Sequence, residues 1–204
     1  MPSPLPELYG GVLCLDFANT VDSRAQPPLE EHVHRYEDLL RWDRLAAVLD
    51  PAEVEALTRV AQAQPEAADA AHARAVEVRE AIFRFFVALA RGGVPEPADA
   101  AIMQRAYVDA LQHARLIQDG DRFRWTWEGD DLNRAWWPVA RSAIELATGA
   151  VVDRVKVCAS DEGCAGLFLD TTKNHSRRWC SMGACGVEVK VKRQTARPPA
   201  TRNP

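Results

Sequence analysis

The stretch VCASDEGCAGLFLDTTKNHSRRWCSMGACGVEVKVKR, Val157–Arg193, decides how this chain is read. Four of the five cysteines lie in it as two short pairs, Cys158/Cys164 and Cys180/Cys185, with a basic segment between them. Close thiol pairs joined by a spacer of about 15–20 residues are the layout of a structural zinc site, because each pair can converge on one ion without backbone strain. Two disulfides are the first alternative and would need an oxidising compartment. The start, Met1–Glu7, shows neither the basic nor the apolar part of a secretory leader, so a cytoplasmic protein is expected. Four buried thiols are the second alternative, at odds with the polar surroundings. Zinc is favoured. His175 lies between the pairs, but among Lys173, Arg177 and Arg178 it suits solvent or phosphate better than metal.

Working outward within this stretch, Leu167-Phe168-Leu169 reads as a strand and Thr171–Asn174 as a turn. Ser176–Trp179 then returns as a second strand, placing Cys158/Cys164 before a hairpin and Cys180 at its end. Val187–Lys192 alternates apolar and charged residues with period 2, the pattern of a strand.

These residues resemble the CGNR zinc finger of bacterial proteins described as stress-induced transcription regulators. The resemblance is carried by Cys158-Ala159, Cys164, Leu167-Phe168-Leu169-Asp170-Thr171, Ser176-Arg177-Arg178-Trp179-Cys180-Ser181-Met182 and Cys185-Gly186. It implies zinc ligation by Cys158, Cys164, Cys180 and Cys185, and a helix opening at Cys185, so that knuckle, hairpin and helix form a treble-clef-like unit. Where the family has Asn-Arg after the last Cys-Gly, this chain has Val187-Glu188, which weakens the expectation of DNA contact there.

The rest of the chain is read as a helical body. Gly10–Val21 is apolar, a buried strand or early helix turn with Cys14 as a core thiol. Asp16 and Asn19 interrupt that run. A helix cap or an inter-element hydrogen bond is the favoured reading, and a ligand-facing polar cluster with Arg24 the alternative. Glu30–Leu49 has the pattern of an amphipathic helix. Asp50-Pro51-Ala52-Glu53 starts another helix, Glu66–Arg91 and Asp99–Leu111 follow, and Leu132–Thr148 is a long one. Between the last two, Asp119-Gly120 joins two alternating runs into a hairpin.

This body is similar to the domain called ABATE, through Leu15-Asp16-Phe17-Ala18-Asn19-Thr20 with Arg24, Tyr36–Trp42, and Val78-Arg79-Glu80-Ala81-Ile82-Phe83. The resemblance implies a sensory or regulatory domain, for which Asp16, Asn19, Arg24 and Arg79 are the candidate ligand contacts. The expected fold class is α+β: a mainly α-helical N-terminal domain (1–150) with a β-hairpin, a small treble-clef-like zinc finger (151–197) and a disordered tail (198–204).

Charge is unevenly distributed. Residues 1–150 hold 15 Arg, no Lys and 24 acidic residues, a net of −9, whereas residues 171–204 hold 8 basic residues against Glu188, a net of +7. An acidic body with a basic end suggests a polyanion partner. No apolar run reaches the ~20 residues of a membrane span, and no phosphate loop, nucleophile elbow or zinc-protease motif is present. With four thiolates the zinc keeps no open position, so it is structural and the chain is read as no enzyme. Two functions follow. One is a DNA-binding transcription regulator, with Lys173, Arg177, Arg178, Lys190, Lys192 and Arg193 on phosphates and the body sensing a small molecule or forming a homodimer. The other is a small-molecule or protein-binding module in which the finger is only structural.

Overall fold

A computed structural model describes residues 5–160 and 163–195. Its first helix, α1 (Leu13–Ala18), is the centre around which the body packs. Cys14, Leu15, Phe17 and Ala18 are all inaccessible to solvent. Gly10 precedes it at a point where a Cβ would meet the Asp16 amide at 2.7 Å, and Asp16 Oδ1 accepts from the Gly10 amide at 2.7 Å. Asp16 therefore ties the segment before the helix back onto it.

The chain then forms a two-residue ribbon, β1 (Val21–Asp22) with β2 (Glu30–Glu31), before α2 (Tyr36–Leu45). The helical reading of Glu30–Leu49 is thus corrected at its start. Glu31 and His32 extend toward Arg79 and the Thr20 carbonyl, and helix begins only where the Tyr36 ring enters the core and its hydroxyl reaches the Leu132 carbonyl at 2.7 Å. α3 (Pro51–Ala63) opens with the expected capping box: Asp50 accepts from the Glu53 amide and Glu53 from the Asp50 amide. α4 (Pro65–Ala90) buries Ala68, Ala71, Ala75, Val78, Ile82 and Phe86 along one stripe. Its small residues let α1 and α5 (Pro97–Gln112) approach closely.

β3 (Ala114–Asp119) and β4 (Arg122–Trp127) form the expected hairpin, with Gly120 at φ +63° in the turn. Trp127 anchors it, its indole donating to the Ala110 carbonyl at 2.7 Å. The long helix expected over Leu132–Thr148 is divided: a 3-10 turn, Leu132–Ala135, precedes α6 (Trp137–Thr148). Pro138 lacks an amide hydrogen, which is tolerated only in the first turn of a helix, so α6 starts afresh there.

β5 (Val155–Val157) pairs antiparallel with β6 (Leu167–Leu169), so Cys158 and Cys164 lie in the loop between these strands. This corrects the expected pairing of Leu167–Leu169 with Ser176–Trp179. The later segment is held instead by side chains and by a main-chain bond to the first knuckle: the Ser176 amide donates to Thr172 Oγ1 (3.0 Å), the Arg177 amide to Asp170 Oδ2 (3.0 Å), and the Ala159 amide to the Arg178 carbonyl (2.9 Å). α7 (Cys185–Thr195) is a helix despite its period-2 sequence, because Val189 alone of the three valines is buried. The tail from 198 lies outside the described residues.

The core runs through both parts of the chain. Val155 and Leu167 belong to the same buried cluster as α1, α4 and α6, while Phe168 and the cysteines form a second, smaller one with Tyr9 and Trp179.

Candidate metal centre

β5, β6 and the start of α7 bring Cys158, Cys164, Cys180 and Cys185 together, their sulfurs all within 4.8 Å of one another. Cys164 and Cys180 are 3.5 Å apart, Cys180 and Cys185 3.7 Å. A disulfide would need about 2.05 Å, whereas four sulfurs at about 2.3 Å from one tetrahedral ion are about 3.8 Å apart. All five cysteines are free, Cys14 being the expected core thiol. Burial pushes the Cys14 thiol up to about 12, so it is inert.

The chemistry of the donor set agrees with the geometry. Hydrogen bonds from Cys164 and Cys180 hold the Cys158 thiol far below its ordinary value. Bonding to Cys158 correspondingly raises Cys164 and Cys180, and burial raises Cys185. A divalent ion would favour the ionised form of all four. Amide hydrogens of Gly166 and Cys180 point at Cys164 Sγ and Cys158 Sγ, each at 3.4 Å, and stabilise thiolate charge. These residues fit a structural Zn2+, which would close the knuckle onto α7 and leave no position open for catalysis.

A second layer holds the ligands in place. Asp170, fully inaccessible, accepts from Lys156 Nζ (2.6 Å), from Thr172 through its amide (2.9 Å) and hydroxyl (2.6 Å), and from the Arg177 amide. Burial alone would raise its carboxyl, but Lys156 and these donors hold it well below the usual range. Lys156 Nζ also donates to the His175 carbonyl, leaving His175 as an exposed turn residue outside the cysteine cluster.

Arg177 is part of this layer. Its guanidinium stacks 4.5 Å from the Phe168 ring centroid and donates to the carbonyls of Trp179 (3.0 Å), Tyr9 (3.1 Å), Leu169 (3.4 Å) and Cys180. Lys173, Arg178, Lys190 and Lys192 are exposed, and the Arg193 side chain lies outside the described part of the chain.

The candidate ligand contacts are all tied to the protein. Asn19 pairs by both atoms of its amide with the main chain of Leu167, 2.8 Å each way, joining α1 to β6. Arg24 grips Glu80 at 2.8 and 2.9 Å and covers the Phe83 ring. Arg79 bridges Glu80 (3.0 Å) and Glu31 (2.7 Å to each oxygen). Burial would raise both carboxyls, yet the two arginines hold them below the usual range. The inter-element reading of Asn19 is the one seen. Tyr9, Lys156, Glu31 and Asp170 were not singled out by spacing, because their roles depend on partners far away in sequence.

A mainly helical body with a four-cysteine knuckle built into its side defines a zinc-finger protein. The chain belongs to the ABATE family: residues 11–150 match that family's model, described as "Putative stress-induced transcription regulator", and residues 154–198 match the CGNR zinc finger. Neither description names an enzyme. No curated protein matches the chain. Among the described residues, no helix is long and apolar enough to cross a membrane.

Proposed function

We propose that the protein is a zinc-dependent DNA-binding transcription regulator whose finger contacts phosphates while the helical body senses a ligand or dimerises. The observation that carries this reading is α7, which starts at a zinc ligand and carries exposed Lys190 and Lys192. Exposed Lys173 and Arg178 precede it on the knuckle, in the C-terminal stretch 171–204 with net charge +7. Arg177 is omitted from this set, since its donors are occupied by carbonyls. Val187 and Val191, exposed on α7, offer only apolar contact such as a thymine methyl, so phosphates supply most of the affinity and little sequence choice. For the body, the β3–β4 hairpin leaves Leu116 and Phe123 exposed, which favours self-association.

The test is a salt titration of binding to random-sequence duplex DNA by zinc-loaded protein. Affinity should fall steeply with salt, and Lys190→Ala and Lys192→Ala should each flatten the log–log slope by about 1. The binding-module reading is favoured by a different observation: β6 is part of the body's core, as a purely structural staple would be. Absence of DNA binding at low salt by fully metallated protein would leave that reading standing alone.

A further inference from the structure

The β1–β2 ribbon carries a second group of metal-ligating side chains. Its register pairs Val21 with Glu31 and Asp22 with Glu30, so two carboxylates sit directly opposite each other. Like charges in that position destabilise a strand pair unless something offsets them. Neighbouring Glu31 is offset by Arg79. Asp22 is paired with His32, a buried side chain whose Nε2 is 2.9 Å from Asp22 Oδ2. One donor atom from each of Asp22, Glu30 and His32 lies within 4.8 Å of the others.

Asp22 and Glu30 open on a cavity of about 330 Å³ between the ribbon, the N-terminal segment and the zinc knuckle, with His32 buried behind Asp22. Glu7, Tyr9, Asp22 and Glu30 line it beside the cysteine ligands, with no Lys or Arg among the described lining residues. A space walled by carboxylates and thiolates favours a cation.

We propose that Asp22, Glu30 and His32 form a second metal site, taking one divalent first-row transition ion at the cleft between body and finger. Two carboxylate oxygens and one imidazole nitrogen suit Mn2+, Fe2+ or Zn2+, whereas four thiolates select zinc, so the two sites sort metals by donor hardness. Donors about 2.1 Å from one ion are roughly 3–4 Å apart. The Asp22–His32 pair has that spacing already, and Glu30, exposed on the ribbon with its donor atom within 4.8 Å of theirs, is free to change rotamer to complete the set. Three protein ligands leave the ion's other positions facing the cavity. The site stands on this geometry whether or not the finger contacts DNA.

The experiment uses the full chain with its cysteine site loaded with zinc. Mn2+ is added while the free aqua ion is followed by electron paramagnetic resonance. Mn2+ is the weakest of the series at sulfur sites and leaves the cysteine-bound zinc in place, which a parallel zinc assay checks. One Mn2+ should bind per chain, with affinity at least tenfold weaker in Glu30→Gln and lost in Asp22→Asn. Glu30 is exposed, so its variant should keep the fold, as circular dichroism will show. No binding at millimolar Mn2+, or binding by Glu30→Gln equal to that of the unmodified chain, overturns the proposal. Several weak equivalents unaffected by either substitution would mean diffuse attraction to an acidic surface and overturn it equally.

Discussion

Arg177 and Asn19 show how differently one side chain reads in sequence and in space. Arg177 stands in a basic run that suggests phosphates, yet it bonds the carbonyls of Tyr9, Leu169, Trp179 and Cys180 and so ties the N-terminal segment to the knuckle. Arg177→Ala should weaken zinc affinity and lower the melting temperature, whereas Lys190→Ala should change neither. Equal behaviour of the two variants in a chelator competition would refute that distinction. Asn19→Ala strands the Leu167 amide and carbonyl in the core and should cost about 2–4 kcal/mol in denaturant unfolding. A loss below about 0.5 kcal/mol would show that water replaces the amide. Asp43 makes an independent case: it is inaccessible, and neither carboxyl oxygen has a partner among the described residues. Burial raises its pKa well above that of the unfolded chain. The fold thus favours the protonated form, and that stability is full below about pH 4 and is lost as pH rises from there. Asp43→Asn should therefore melt higher than the unmodified chain at pH 8, with the gap closing toward pH 4. A gap independent of pH would count against a buried, titrating carboxyl.

At the scale of elements, local signals were legible wherever the deciding contacts are local. The Asp50/Glu53 capping box and the Asp119-Gly120 turn are readable because their partners lie within a few residues. The four metal ligands were legible for the same reason, as spacing alone pairs them. The pairing of β6 was not. Leu167–Leu169 has a candidate partner segment on each side, and the choice of Val155–Val157 depends on the distant Asn19 and on Asp170 capturing the Arg177 amide. Nor does period 2 describe α7, where zinc ligation at Cys185 and burial of Val189 outweigh strand propensity. This division has a measurable consequence for metal removal. Zinc binding at such a site is folding free energy, but β6 is also held by Asn19 and by the body's core. Chelation should strip hydrogen-exchange protection from α7 and the knuckle while the Leu167 and Leu169 amides stay protected. Simultaneous loss at all of these amides would mean that the metal, not the core, holds the strand pair.

At the scale of the molecule, the finger is an extension of the body. The Gly10 carbonyl accepts from the Leu169 amide at 2.8 Å, continuing the β5–β6 pair with a strand-like contact from the N-terminal segment. Tyr9 packs beside Cys164, where a Cβ on Gly166 would meet its ring at 3.0 Å, so the smallest residue is needed for this close approach. Val155 and Leu167, buried against the body's helices, would be open to water in a fragment beginning at residue 154. Exposing two such side chains costs about 1.5–3 kcal/mol each, beyond the loss of the Asn19 and Gly10 hydrogen bonds. A 154–204 fragment should consequently bind zinc at least tenfold more weakly than the full chain in competition with a chelator, and its amide spectrum should show poor dispersion upstream of Cys180. Matching affinity with a well-dispersed spectrum would identify an autonomous finger. The predicted dependence, in contrast, makes the body a required part of the metal site, so any ligand or second copy that shifts α1 against β6 reaches the zinc through Asn19 and the N-terminal segment.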